Sequence, residues 1–137
     1  MKNKNLSGGL FAVGKPQPLT IKETPLSAQI KEYLDNRGIW NERLNSGKIQ
    51  TMNGNWITLC EKGTPDRIAV FRGQAIFIET KMFGKKPTNE QFAKHSELRA
   101  NDAIVIVADH YNKFVCEFSA IRALLENKRK GEINLYD

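Results

Sequence analysis

The 137-residue chain reads as an α/β domain with a mixed central sheet flanked by helices. Two apolar runs, Arg67 to Phe71 and Ala75 to Ile78, flank Arg72-Gly73-Gln74, and such runs parted by a short glycine-containing break predict a β-hairpin. Ala103 to Ala108, AIVIVA, has the length and unbroken apolarity of a strand buried on both faces. A helical stretch lies between that run and the hairpin. The second hairpin strand, the helix and AIVIVA therefore form a β-α-β unit, for which a right-handed parallel crossover is expected.

From the N-terminus, Met1 to Leu19 mixes Lys, Asn, Gly and Pro without sustained periodicity, which predicts a flexible basic arm over 1–19 and a single domain over 20–137. Lys2, Lys4 and Lys15 suit phosphate contacts, although a solvated tail is the commoner role. Leu26, Ile30, Tyr33 and Leu34 follow helical spacing, with Thr24 to cap the start, Pro25 at the first position and Gly38 to stop it. Ile39 to Leu44 reads as a strand carrying Trp40 and Arg43, followed by the turn signal Asn45-Ser46-Gly47. Lys48 to Met52 and Trp56 to Cys60 read as strands about Asn53-Gly54-Asn55, a type I′ turn signal, with Trp56 expected in the core. After the central hairpin, Thr88 caps a helix with Gln91 in capping-box position and Phe92, His95, Leu98 and Arg99 continuing its turns. Phe114 to Phe118 is expected to add a short edge strand. A helix over Ser119 to Asn127 and the basic end Lys128-Arg129-Lys130 follow.

Lys and Arg outnumber Asp and Glu by 21 to 15, a net charge of +6 that favours polyanionic partners. Cys60 and Cys116 lack both the paired spacing of a zinc site and the density of a disulfide scaffold, and are read as reduced core cysteines. No apolar segment approaches the ~20 residues of a membrane span. The apolar patch near Met1 is too short for a secretory signal, so a cytoplasmic protein without membrane partners is expected.

The outer ends of the central hairpin carry the chemistry. Asp66 opens its first strand and Glu79 closes its second, so antiparallel pairing about Gly73 brings two carboxylates together. Carboxylates held side by side repel each other and are costly to desolvate, which a bound divalent cation relieves; hard oxygen ligands point to Mg²⁺ or Mn²⁺. Alternation along the strand puts Lys81 on the same side as Glu79, with Thr80 facing away. A metal that polarises phosphate and an ammonium that positions water together equip a surface to cut a phosphodiester.

Pro65-Asp66 followed by Glu79-Thr80-Lys81 resembles the PD-(D/E)XK nuclease superfamily, and the details resemble its virus-type replication-repair nuclease (VRR-NUC) family. Three features carry the narrower resemblance: Gly63-Thr64-Pro65-Asp66 in the form G-x-P-D, Gln91 on the helix after the lysine strand, and Glu23 before the first helix. The match spans about Glu23 to Ala108.

The resemblance implies a restriction-endonuclease-like core and a metal-dependent DNA endonuclease. Under it, Asp66 and Glu79 bind Mg²⁺ or Mn²⁺ with the Thr80 carbonyl as a further ligand. Lys81 orients the attacking water, Glu23 holds a second metal or a metal-bound water, and Gln91 braces Lys81 or the water. Glu23 also suits a helix-dipole role and Gln91 a purely capping one. Arg43, Lys85 and Lys86 are the candidate DNA contacts, although Arg43 fits an ion pair with Glu42 equally well and the lysines fit a solvated loop. His95 is left outside the metal shell as a possible substrate contact. Thr80 departs from the family in filling a position often held by an apolar β-branched residue. The family's minimal members include homodimers acting on four-way junctions, so branched DNA and a homodimer are the expected partners, and the expected product is a 5′-phosphate with a 3′-hydroxyl. Two rivals are a flap, nick or restriction-like nuclease and a non-catalytic DNA-binding module.

Overall fold

The computed structural model describes residues 24–136, with side chains described as far as Lys128. The arm over 1–19, Glu23 and the side chains of Arg129 and Lys130 lie outside the described residues.

Helix α1 spans Pro25–Asn36. Thr24 Oγ1 accepts the Ser27 N–H at 3.2 Å, and Pro25 occupies the first turn, where a missing N–H costs nothing. Ser27, Ile30, Tyr33 and Leu34 are buried on one face. Gly38, at φ +66°, ends the helix: its N–H donates to the Asp35 carbonyl at 3.0 Å and the Ile39 N–H to Leu34 at 3.0 Å, a Schellman closure that sends Ile39 into the core.

The main sheet has four strands: β1 (Trp40–Arg43), β4 (Arg67–Phe71), β5 (Gln74–Thr80) and β6 (Ile104–Ala108), in that spatial order. β1 pairs antiparallel with β4, β4 antiparallel with β5, and β5 parallel with β6. The expected mixed α/β architecture is therefore present. Arg72 and Gly73, at φ +50° and +81°, turn the β4–β5 hairpin; positive φ at both central positions matches strand twist in a two-residue loop. Helix α2 (Asn89–Ala100) connects β5 to β6 and is capped as expected, Thr88 and Gln91 forming a reciprocal capping box. Ile106 and Ala108 are buried, but β6 ends the sheet and its Ile104, Val105 and Val107 are only partly covered, so AIVIVA is an edge strand rather than one enclosed on both faces.

The expected edge strand over Phe114 to Phe118 is instead the first part of a long helix, α3 (Tyr111–Tyr136). Phe114 and Phe118 are wholly buried while Cys116 between them is exposed. With the partly buried Ile121 and Leu125, the phenylalanines form a stripe of helical period. Edge-on contacts of Tyr33 with both rings, at 5.4 and 5.9 Å between centroids, join α3 to α1.

Strands β2 (Lys48–Gln50) and β3 (Trp56–Thr58) form a separate two-stranded ribbon. Its turn differs from the expected type I′: Gly54 alone has positive φ, +85°, and its N–H donates to Thr51, the geometry of a type I turn closed by a left-handed glycine. Trp56 is exposed rather than in the core, because the ribbon has no third layer over it among the described residues. Neither cysteine is in the core: Cys60 is half-buried and Cys116 exposed, both as free thiols.

Candidate active site

The site is built from the loop entering β4, the end of β5 and the first turns of α2. Gly63 has φ +92°, and a Cβ placed on it would stand 2.5 Å from the Glu90 carbonyl oxygen. Only glycine lets this loop lie directly on the α2 N-terminus. Ion pairs fasten the same contact, Lys62 to Glu90 at 3.3 Å and Lys94 to Glu61 at 2.7 Å. Pro65 is fully buried beneath the loop, and Asp66 follows at the mouth of β4.

The hairpin register pairs Arg67 with Ile78, and one further step puts Asp66 across from Glu79. Asp66 Oδ2 accepts the backbone N–H of Thr80 at 2.7 Å and its hydroxyl at 2.7 Å, which fixes the carboxylate against the end of β5. Glu79 is buried, with 1% of its surface exposed. Gln91 Nε2 donates to Glu79 Oε1 at 3.0 Å while its Oε1 accepts the Thr88 N–H at 2.9 Å, and His95 Nε2 stands 3.3 Å from Glu79 Oε2. Gln91 thus closes the capping box and holds Glu79 at once; its recorded partner is Glu79, where the sequence pointed to Lys81 or water.

Burial first, and then the neighbouring Asp66 charge, push the Glu79 carboxyl up to about 8, with Lys81 pulling the other way. His95 is lowered, chiefly by burial and then by the positive charges of Arg99 and Lys81, so its imidazole is neutral at pH 7. A carboxyl driven toward its neutral form by burial, and next by its neighbour's charge, is the state a hard divalent cation would reverse. Asp66, Glu79 and the Thr80 carbonyl are hard oxygen donors of the right kind. Among the described residues no group of three or more His, Cys, Asp or Glu side chains is arranged to hold a metal, and Glu23, the further carboxylate of the sequence reading, lies outside them.

Asp66 and Thr80 also line a cavity of about 200 Å³ with Thr24, Ser27, Arg43 and Asn45, which places Arg43 at the site. Lys81 is half-buried at the end of β5, its N–H donating to Ala108 at 2.9 Å. Lys85 and Lys86 are exposed on the loop after it, with no recorded contact to the two carboxylates. Sequence reasoning missed His95 as a partner of Glu79. Its position one turn beyond Gln91, on the same face of α2, was the available signal. It also missed the role of Gly63, whose need shows only once the loop lies on α2. No protein-family model matches the chain, and no curated protein matches it.

Proposed function

We propose that the chain is a metal-dependent, structure-selective DNA endonuclease with a PD-(D/E)XK-like core, hydrolysing phosphodiester bonds and resolving four-way junctions as a homodimer. The observation that carries this reading is the meeting of Asp66 and Glu79 at one end of the β4–β5 hairpin, with Glu79 raised to about 8 in part by Asp66 and with Lys81 beside them. Asp66, Glu79 and the Thr80 carbonyl would hold Mg²⁺ or Mn²⁺, and Glu23 would hold a second metal or a metal-bound water. The chemistry such a cation would supply is polarisation of the phosphate and a lowered pKa for bound water. Lys81 positions the attacking water and offsets charge developing on the phosphate. Gln91 and His95 hold the Glu79 carboxyl in one orientation, which keeps the acidic pair ordered before substrate arrives. Arg43, at the cavity beside Asp66, and the exposed Lys85 and Lys86 supply phosphate contacts, which give affinity and register rather than base choice.

A two-fold dimer would present two such sites symmetrically across a branched junction and so make paired cuts. Cleavage of a labelled four-way junction, a 5′ flap and a linear duplex with Mg²⁺ or Mn²⁺ tests the reading, with Asp66→Asn and Lys81→Ala beside the wild type. Junction cutting that both substitutions reduce by at least about a hundredfold is expected, the scale of losing one group that stabilises the transition state. Preferential cutting of flap or duplex would replace the junction with flap, nick or restriction-like activity. No metal-dependent cutting of any substrate would leave a DNA-binding module.

A further inference from the structure

We propose that Met82 and Phe83, on the loop between β5 and α2, form a stacking platform for an unpaired nucleobase next to the phosphate being cut. The proposal rests on the nuclease reading and specifies which part of the substrate the site selects.

Met82 and Phe83 are 77% and 80% exposed, directly after Lys81. Exposed apolar side chains on a loose loop would mean little, but this loop is pinned. The Lys85 N–H donates to the Met82 carbonyl at 2.9 Å, closing a turn with Gly84 at φ +80°. The Gly84 N–H donates to Asp109 Oδ2 at 3.0 Å, Asp109 Oδ1 lies 2.8 Å from His110 Nδ1, and the Phe83 ring meets the His110 ring edge-on at 5.8 Å. The apolar pair is thus presented outward from a fixed support at the C-terminal end of β6.

Beside it lies a cavity of about 530 Å³ walled by Pro25, Leu26, Lys81, Met82, Phe83 and Asp109. That volume falls within the ~300–1,000 Å³ typical of small-ligand sites. Lys81 belongs to this wall and its charge is also felt at Glu79, so whatever enters the cavity lies next to the reacting phosphate. Among the described residues the charge next to the apolar surface comes from Lys81, Lys85 and Lys86, and each oxygen of Asp109, the one acid of the described wall, already faces a partner within the loop or on His110. A flat apolar face ringed by ammonium groups complements a base with its phosphates, since every base offers a π-face and the backbone offers the anions. In a continuous duplex those faces are covered by stacking, so only a single-stranded, splayed or branch-point base can reach the loop.

The test is binding in EDTA, which separates recognition from cleavage. Fluorescence anisotropy of the full chain is read on a labelled single strand and on a duplex of equal length, for wild type, Phe83→Ala, Phe83→Trp and Lys85→Ala/Lys86→Ala. Phe83→Ala is expected to weaken single-strand binding about tenfold or more, the scale of one base–aromatic stack, and to change duplex binding by less than about twofold. Phe83→Trp should restore it, and the lysine pair should weaken both DNAs alike. Equal loss on both DNAs with Phe83→Ala, or no loss on either, would overturn the platform. Metal-dependent cutting with no Phe83-dependent preference would sink the platform while leaving the nuclease reading intact. A Phe83-dependent single-strand preference without cutting would keep the platform and remove the nuclease. No binding to either DNA would end both.

Discussion

Glu79 lies against Gln91 and His95 almost without solvent, and its environment sets a measurable pH dependence. Its folded pKa, about 8, lies above the ordinary 4.5, so over the interval between them the folded chain keeps a proton that the unfolded chain has lost. That contribution to stability is complete below about 4.5 and is lost as pH rises through 8. His95 is shifted downward from 6.5, so its contribution runs the opposite way and is complete only about a pH unit above that value, once the unfolded histidine has lost its proton too. Toward the upper end of the interval from about pH 6.5 to 8, where the unfolded histidine has also lost its proton, Glu79 dominates this pair of effects, and stability in EDTA should fall by up to about 1.4 kcal/mol per pH unit. Urea midpoints should decline there for the wild type and stay flat for Glu79→Gln; parallel curves would refute the shift. The meeting of Asp66 with Glu79 beside Lys81 was legible at this scale, because residue spacing and hairpin register set it. His95 was not, since a lone histidine on a helix gives no sign of what lies opposite until β5 is placed beneath it.

The loop from Glu61 to Pro65 and helix α2 act as one support for the acidic pair. Gly63 combines a left-handed φ with a backbone approach that excludes a Cβ. Gly63→Ala should cost about 2 kcal/mol or more and displace Pro65 and Asp66 from the end of β5. Chemical denaturation would measure the first effect, and on the proposed function cleavage at a temperature where the variant stays folded would measure the second. Elements defined by local signals were readable in advance: α1 by its cap and glycine stop, α2 by its capping box, the β4–β5 hairpin by Gly73. Phe114 to Phe118 misled because F-V-C-E-F fits both an alternating strand and one turn of a helix, and five residues are too few to separate the two periods. Packing against Tyr33 of α1 favours the helix, which buries both phenylalanines on one face.

Over the whole molecule, α1 and α3 close the core that keeps the sheet rigid beneath the site. Phe118 is fully buried in it, and Phe118→Ala should lose about 3–5 kcal/mol through lost burial and the cavity left behind. A thermal or urea transition would read this directly, and a loss below about 1 kcal/mol would show that the helix contact is not part of the stable core. No helix among the described residues is long and apolar enough to cross a membrane. The amino-acid order was sufficient to specify an α/β fold, the parallel step from β5 to β6 and the juxtaposition of two carboxylates, because each follows from local periodicity, turn chemistry and strand register. The burial of Glu79 against His95, the exposure of Trp56 and Phe83 and the edge position of β6 arise from contacts between segments distant in the chain. Exposure depends on what covers a residue, and that is set only when the elements pack.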